Sequence, residues 1–315
     1  MFRLQVLESV DSTNEVIKRA IEDGEPEGLA IRAYRQTGGY GRQGRAWKSP
    51  RGGMYESILL RPEVEMRELP TLALVVAIAV RRALASLVVD DQARRICIKW
   101  PNDVMLVDGG FGADYSTRDT ALELGGHTSC SDSPALENSP LGCSRRAELR
   151  AAHARQAQGL QASQTNAPSI KNLYSKLAGI SSEVHAGGIC VGIGVNVEPP
   201  EGAMEVDGKN APAYLADLGF GFTCEREAAI NAVGDAVLHE FEPLYRRWCD
   251  GGFAALSGEF AEHSMLEGRF VRMANQLGEV VCEGTVRGVD AYGRLLLRLE
   301  DGETKAVASG EVHLL

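Results

Sequence analysis

A segment rich in glycine and arginine carries the strongest chemical signal in the sequence. Residues 38–47 read GGYGRQGRAW. The glycines allow positive φ values and leave backbone N–H groups accessible to an anion. Arg42 and Arg45 add planar cations that suit phosphate or carboxylate, and Trp47 offers a flat surface to a planar ring. Because neither a P-loop nor a helix-opening G-x-G-x-x-G occurs, the pattern predicts an anion-binding loop outside the dinucleotide folds.

Four other short segments combine polar residues with glycine or apolar neighbours. DSTN, at residues 11–14, precedes a helical pattern and suits either helix capping or a hydrogen-bonding pocket rim. KWPND, at residues 99–103, has the chemistry of a turn. Lys176 precedes a small-residue strand, KLAGI, and Asn196 lies in the apolar run GIGVNV, where a buried amide must find a hydrogen-bond partner. Taken singly, each segment also has an ordinary structural interpretation.

The hydrophobic pattern predicts the elements that position these segments. Ser12 and Glu15 form a capping-box pattern at the start of a helix. After Gly268, short alternating runs separated by turn residues predict a small all-β module of about 48 residues. The remaining expectations are strands at 2–7, 29–34, 54–60, 96–100 and 104–107, a hairpin of 177–184 and 188–197, and helices at 72–87 and 225–248.

Composition excludes several classes of protein. The chain has 315 residues and a formal net charge of −10, which argues against a protein that coats nucleic acid. The apolar run Leu72–Val80 is much shorter than the ~20 residues that span a bilayer. Glu8 and Asp11 lie where a signal peptide would be apolar, and seven scattered cysteines without a C-x-x-C pair indicate a reducing compartment. We therefore expect a soluble cytoplasmic protein that is not bound to a membrane.

Residues 108–169 do not fit the surrounding pattern. They are rich in Gly, Ser, Ala, Gln, Asn and charged residues and show no sustained period, although they separate two predicted neighbouring strands. This composition predicts a disordered insertion. His127, Cys130, Cys143 and His153 could be drawn as a zinc set, but their spacing matches no familiar structural site, so we predict no metal-binding residues.

The five motifs, in this order, resemble the biotin protein ligases, the biotin–[acetyl-CoA-carboxylase] ligase family. The resemblance implies an α+β fold, with residues 1–262 as a mixed-sheet catalytic domain whose helices lie on one face. Residues 268–315 would then form a small SH3-like β-barrel. Because DSTN begins at residue 11, we expect the enzyme without an N-terminal DNA-binding domain, and therefore no DNA partner. A monomer and a homodimer are both open.

The same resemblance implies a two-step reaction with ATP and biotin as substrates. The carboxylate of biotin attacks the α-phosphate of ATP, giving biotinyl-5′-AMP and pyrophosphate, and Mg²⁺ is expected to accompany the phosphates. The mixed anhydride then acylates one lysine of a biotin carboxyl carrier protein. Because two anions must meet, such a site needs cations and N–H donors at the α-phosphate.

Site residues follow from the resemblance position by position. Arg42 and Lys176 would be catalytic, and Tyr40 stands where this family usually has an arginine. Expected to contact biotin are Ser12, Thr13, Asn14, Gln36, Tyr40, Gly41, Arg42 and Lys176. The adenylate would be bound by Arg42, Arg45, Trp47, Lys176 and Asn196, with Lys99, Asn102 and Asp103 supporting the pocket.

Two alternatives to a biotin ligase remain open at this point. A lipoate ligase or octanoyl transferase would share the catalytic fold, although KWPND and the C-terminal β-module argue against it. A non-catalytic biotin sensor could have lost turnover through Tyr40 and the insertion, but Arg42 and Lys176 argue against that loss.

Overall fold

The computed structural model describes residues 2–108, 174–201, 211–221, 225–275 and 277–315. The predicted insertion and its histidine–cysteine set therefore lie almost entirely outside the described residues. The helices are α1 (Thr13–Glu22), α2 (Leu72–Ser86), α3 (Asp90–Ala93), α4 (Arg226–Gly251) and α5 (Ser257–His263). The strands are β1 (Arg3–Leu7), β2 (Leu29–Ala33), β3 (Gly53–Leu60), β4 (Ile96–Lys99), β5 (Asp103–Val107), β6 (Tyr174–His185), β7 (Gly188–Asn196), β8 (Phe270–Ala274), β9 (Val280–Val289), β10 (Leu295–Arg298), β11 (Thr304–Val307) and β12 (Glu311–Leu314).

A seven-stranded mixed sheet forms the larger part of the fold. Its strand order is β1-β2-β3-β7-β6-β5-β4, with β1 and β2 parallel and the other pairs antiparallel. The hairpin expected between β6 and β7 is confirmed: His185 pairs with Gly188 across Ala186 and Gly187. Both turn residues have positive φ, which matches the twist of the two strands.

Helices cover both faces of this sheet, so the expectation of helices on one face is wrong. Side chains alternate between faces along a strand. Ile58 and Leu60 join the cluster that contains α2 and α4, whereas Leu59 packs with Ile17 and Ile21 of α1 on the opposite face. Because α1 is only ten residues long, it covers just part of its face and leaves the rest of the sheet open to a ligand.

Helix α2 is apolar enough to resemble a membrane span. Residues Leu69–Ser86 form the one segment of the described chain whose length and hydropathy would allow it to cross a bilayer. Most of this segment is buried, and α2 packs on α4 and on β4 and β6. The apolar composition is thus accounted for by the protein core, as the sequence pattern predicts for this helix.

A buried ion pair links the sheet to α4. The Arg32 Nε donates to Glu56 Oε2 at 2.7 Å, and its Nη1 donates to Asp235 Oδ1 at 2.9 Å. Both Arg32 and Glu56 are completely buried, on neighbouring strands β2 and β3. Burial raises the pKa of Glu56 to about 7, although Arg32 favours its charged form. This network lies on the face that α2 and α4 cover.

The C-terminal residues form a separate antiparallel sheet. Its order is β11-β10-β9-β8-β12, which confirms the predicted all-β module and adds β12, a strand that the sequence analysis missed. Among the described residues β11 and β12 are its two edges, so these pairings give an open sheet where the resemblance implied a closed barrel.

Two contacts join this sheet and its linker to the larger one. The Trp100 indole N–H donates to the Gly293 carbonyl at 2.8 Å, and the Met265 N–H donates to the Ile98 carbonyl at 2.9 Å. The second contact covers the outer edge of β4, which an exposed strand would otherwise offer to another chain. The boundary between residues 262 and 268 stays a prediction.

Candidate functional site

A cavity of about 730 Å³ lies on the α1 face of the sheet, beyond the N-terminus of that helix. All five sequence motifs reach its wall, together with residues of the C-terminal sheet. The predicted site residues in the wall are Thr13, Asn14, Gln36, Tyr40, Gly41, Arg42, Arg45, Trp47, Lys99, Asn102, Asp103, Lys176 and Asn196. Ser12 is buried at the N-cap of α1 and is not among the described residues that line the cavity.

One end of the cavity is a network of hydroxyl and amide groups. The Thr13 N–H donates to Gln36 Oε1 at 2.8 Å, and Gln36 Nε2 donates to Ser49 Oγ at 2.9 Å. The Ser57 hydroxyl lies 2.7 Å from both Thr13 Oγ1 and Asn14 Oδ1. Ser49 and Ser57 lie outside the five sequence motifs. Their positions fix the side chains that the sequence analysis did select, so this end presents an ordered set of donors and acceptors.

The floor of the cavity consists of glycines on β6 and β7. A Cβ at Gly192 would lie 2.4 Å from Asn14 Oδ1, and one at Gly194 would lie 2.8 Å from Trp47 Nε1. A Cβ at Gly179 would lie 3.0 Å from the Trp47 ring. The glycines of the KLAGI and GIGVNV motifs therefore leave room for the side chains that the pocket needs.

Trp47 lies on this floor beside a cation. Lys176 Nζ is 4.9 Å from the centre of the indole ring, within the range of a cation–π interaction. The indole N–H is buried and has no hydrogen-bond partner among the described residues. The indole thus forms a flat, partly apolar surface next to a positive charge.

Lys176 is held from several sides. Its Nζ lies 2.7 Å from Asp103 Oδ1. The backbone N–H donates to Ala211 O at 2.8 Å, and the carbonyl accepts from Ala213 N and from Asn196 Nδ2. The partly buried Asn196 thus has the hydrogen-bond partner that the sequence analysis required, and this partner is the backbone of Lys176. We assign Asn196 to positioning on this contact.

Arg42 is held by the same short segment that holds Lys176. Its Nη1 donates to Asn102 Oδ1 at 2.9 Å, and Asn102 Nδ2 donates to Ile180 O at 2.7 Å. Burial lowers the pKa of Arg42, but a guanidinium in a protein stays charged. The KWPND segment therefore places one cation through Asn102 and the other through Asp103.

The C-terminal sheet supplies a wall that sequence reasoning missed. Asn275 and residues 310–313 line the cavity, and Glu311 of β12 forms an ion pair with Arg45. Alternation in the short run from Glu311 to Leu314 was the available signal. It is too brief to identify a strand, and it says nothing about a contact with a loop far away in the sequence.

The predicted capping box at α1 does not form. Ser12 is the N-cap residue, but its side chain makes no capping hydrogen bond within the described part of the chain. The Glu15 carboxylate accepts instead from the Tyr40 hydroxyl. Lys18 Nζ donates to the same hydroxyl at 2.7 Å. Tyr40 thus attaches the glycine-rich loop to α1.

The described residues contain no dedicated metal cage. No group of three or more His, Cys, Asp or Glu side chains comes close enough among them to hold a metal ion. The cavity instead combines the cations Arg42, Arg45 and Lys176 with the carboxylates of Asp103 and Glu311. Such a wall suits a ligand with several negative charges.

Two domain models match this chain. Residues 6–112 match the biotin/lipoate A/B protein ligase family, and residues 268–315 match the biotin protein ligase C-terminal domain. The two models occur in the order that the motifs predict, and they include strands β2 to β5 and the whole C-terminal sheet. They agree with the resemblance of the motifs to the biotin protein ligases.

Individual relatives are named as biotin ligases, and their matches cover different shares of this chain. The biotin–[acetyl-CoA-carboxylase] ligase of Mycobacterium tuberculosis is 25% identical over 99% of this chain and 89% of its own. The bifunctional ligase/repressor BirA of Bacillus spizizenii is 35% identical, but the match spans 31% of this chain and only 29% of that protein. The biotin protein ligase of Aquifex aeolicus in complex with biotin and ATP shares the fold, with a TM-score of 0.63, 23% identity and coverage of 100% and 99%.

Proposed function

We propose that this chain is an ATP-dependent biotin–protein ligase. It activates biotin as biotinyl-5′-AMP and transfers biotin to a lysine of a carrier protein. The observation that carries the proposal is the single cavity that joins a polar end, near Thr13 and Ser57, to a cationic end at Arg42 and Lys176. At about 730 Å³ it lies within the range of small-molecule sites, and it is large for one vitamin alone.

The polar end suits the ureido ring of biotin. That ring has two N–H donors and one carbonyl acceptor, and it would be recognised by the oxygens of Asn14 and Ser57 and by the donors around Thr13. Glycines on β7 let the ring and its apolar tail approach the backbone of the sheet. The tail then directs the carboxylate of biotin toward Lys176 and Arg42.

The cationic end suits the first chemical step. An oxygen of the biotin carboxylate forms a bond to the α-phosphorus while the bond to the pyrophosphate oxygen breaks. Arg42 and Lys176 reduce the repulsion between the two anions and stabilise the charge on the α-phosphoryl oxygens. Since Asn102 and Asp103 already hold these cations, little reorganisation is needed when the substrates meet. The Trp47 ring offers a surface for the adenine.

The second step transfers the acyl group to the carrier. A neutral lysine amine attacks the biotinyl carbonyl, AMP leaves with the electron pair of the anhydride bond, and the new amide loses a proton. The Mycobacterium tuberculosis and Paracoccus denitrificans relatives are named biotin–[acetyl-CoA-carboxylase] ligases. We therefore propose that the acceptor is the biotin carboxyl carrier protein of such a carboxylase.

Mg²⁺ would enter with the nucleotide. It commonly keeps several waters and binds through one or two carboxylates together with substrate phosphates, so it does not need a protein cage. The wall fits that mode, because Asp103 is a carboxylate beside both cations. The ion would neutralise phosphate charge, while Arg42 and Lys176 act on the reacting oxygens.

One incubation series tests the proposal. The full chain is mixed with ATP and either biotin or lipoate, with and without a biotin carrier domain. Acyl-adenylate and the mass of the carrier are then followed. We expect biotinyl-adenylate in the absence of the carrier and a gain of one biotin in its presence. Lipoylation of the carrier would instead favour the lipoate alternative, and adenylate without transfer would favour a sensor.

Three further properties of the ligase stay predictions. We infer a cytoplasmic enzyme, because its proposed carrier is a subunit of a carboxylase in central metabolism. We also infer that it binds neither DNA nor a membrane, on the grounds of the −10 charge and the burial of α2. Both the monomer and the homodimer are compatible with this function.

A further inference from the structure

We propose that Tyr40, Glu15 and Lys18 form a latch that holds the glycine-rich loop over the cavity through contacts within the chain. In this role Tyr40 is a positioning residue that slows the release of biotin and of its adenylate. The latch rests on the proposed function for its ligands, but its effect on the loop can be measured without them.

The first observation is the way in which Tyr40 is held. Its hydroxyl donates to the Glu15 carboxylate and accepts from Lys18 Nζ at 2.7 Å. Lys18 Nζ also lies 2.7 Å from Glu183 Oε2 on β6 and 5.1 Å from the centre of the Tyr40 ring. The lysine therefore ties the loop to both α1 and the sheet, and the tyrosine ring covers the charge.

The second observation is that the loop bridges the cavity and is anchored on both sides of it. Residues 38–47 fold back on themselves, since the backbone N–H of Trp47 donates to the Gly39 carbonyl and the backbone N–H of Gly41 donates to the Arg45 carbonyl. On one side Tyr40 reaches α1, and on the other side Arg42 reaches Asn102. Loss of the Tyr40 anchor would leave the loop attached through Arg42 and through the ion pair of Arg45 with Glu311, and would open the biotin end of the cavity.

The charge states of these groups favour a closed latch across ordinary pH. Burial raises the pKa of Tyr40 to about 12, so the hydroxyl keeps the proton that it donates. Accepting that hydrogen bond lowers the pKa of Glu15. Burial disfavours the charge on Lys18, but its hydrogen bonds to Glu183 and Tyr40 outweigh that effect and raise its pKa. All these groups thus hold the states that the contacts require.

A latch made of contacts within the chain has a specific functional meaning. These contacts restrict the loop without using the ligand, so less conformational entropy should be lost when biotin binds. A departing biotinyl-adenylate must first break the contacts of Tyr40. We therefore assign retention of the intermediate to Tyr40, which stands at a position where the family usually has an arginine.

The first test measures the loop in the absence of any ligand. Tyr40→Phe removes only the hydroxyl, and Lys18→Met removes the cation while keeping the length of the side chain. Trypsin is added to the apo full chain, and cleavage after Arg42 and Arg45 is followed by mass. We expect each variant to be cut at least five times faster than the wild type at these sites, and Tyr292→Phe, on the C-terminal sheet, to match the wild type.

The second test measures retention of the intermediate. Labelled biotinyl-adenylate is formed on the enzyme without a carrier and chased with unlabelled biotin. We expect Tyr40→Phe to release label about tenfold faster than the wild type or Tyr292→Phe. Equal release and equal cleavage in Tyr40→Phe and the wild type would overturn the latch. A chain that binds no biotin but shows the cleavage difference would overturn the proposed function and leave the latch supported.

Discussion

At the scale of single residues, Arg42 and Lys176 owe their positions to neighbours that never need to touch the substrate. Asn102 holds the guanidinium and Asp103 holds the ammonium, and these two residues are adjacent in the chain. Preorganised charges stabilise a transition state more effectively than charges that must first be oriented. A conservative change at Asn102 should therefore act through Arg42.

Replacing Lys176 with alanine should remove most adenylation and leave the fold intact. Loss of one preorganised charge at the reacting group typically lowers kcat by about 100-fold or more. The half-buried side chain contributes little to the core, so thermal unfolding should change little. Adenylate formation is the measurement, with Lys305→Ala on β11 as the matched control. Turnover within a few fold of the wild type would contradict the assignment of Lys176.

A methyl group at Gly194 should displace the indole of Trp47. The new Cβ would come within 2.8 Å of Trp47 Nε1, much closer than such atoms approach, and the ring lies at the cationic end of the cavity. We expect Gly194→Ala to raise the KM for ATP about tenfold and to change tryptophan fluorescence. Gly258→Ala is the control, since a Cβ there would meet nothing within 4 Å. An unchanged KM for ATP would show that Trp47 does not contact the nucleotide.

The sequence indicated most of the residues in the cavity wall because their motifs are short and local. The contacts that orient them could not be predicted in the same way. Glu15 appeared to complete a capping box, but a nearby hydroxyl competes for its carboxylate, and only the fold brings Tyr40 close to it. Ser12 suits a cap or a pocket equally well by residue type, and its place in the chain alone could not decide between them.

At the scale of elements, one face of the larger sheet forms the core and the other face forms the cavity. The face under α2 and α4 is core and holds the pair Arg32–Glu56. The other face carries α1 and the cavity. Alternation along β3 assigns Ser57 to the cavity and Glu56 to the core, so a shift of one residue in register would exchange them. The stability of β2 and β3 is therefore directly relevant to the site.

Protonation of Glu56 should make stability depend on pH. Its pKa is about 7 in the folded protein and 4.5 in the absence of the fold. Between these values the folded state binds more protons than the unfolded state, so the free energy of unfolding falls as pH rises from about 4.5 to 7. We expect this contribution to reach about 3 kcal/mol, because a shift from 4.5 to about 7 corresponds to ~1.4 kcal/mol for each unit of pKa.

Glu56→Gln is the variant that isolates this contribution, because glutamine does not titrate. Chemical unfolding of both proteins at pH 5, 6, 7 and 8 gives the comparison. The wild type should lose stability relative to Glu56→Gln as pH rises through this range. Parallel curves for the two proteins would mean that Glu56 is charged throughout.

Two element predictions failed for physical reasons. The sequence of α1 shows an apolar stripe, but it does not show on which face of the sheet that stripe packs. Strand β3 is buried along its whole length, so its sequence does not distinguish a solvent-exposed face from a buried one. Strand β12 has only four residues, and its partner β8 is far away in the sequence. Strands of this kind are stabilised by non-local pairing, which local propensity does not report.

At the scale of the whole molecule, the central sheet is continuous on both sides of the undescribed segment. Val107 at the end of β5 pairs with Tyr174 at the start of β6. Two strands paired at their ends can be joined by a two-residue turn. The register of the central sheet at this point is thus given by pairs between described residues.

Replacing residues 109–172 with Asn-Gly should preserve activity. The replacement keeps Asp108 and the last residue before β6 and offers a turn suited to antiparallel strands. We expect biotin transfer within about threefold of the full chain and a cooperative unfolding transition. Loss of transfer in a cooperatively folded variant would show that this segment contributes to the carrier or to the site.

The ion pair between Arg45 and Glu311 has a consequence for biosynthesis. Thr13 and His313 line the same cavity, so its walls come from residues that are very far apart in the sequence. During translation the loop and the central sheet emerge first, and the wall that carries Glu311 is missing until β12 has left the ribosome. The cavity of a nascent chain therefore lacks this wall until then. Under the proposed function, we expect the reactive acyl-adenylate to form only in chains whose strand β12 has already paired with β8.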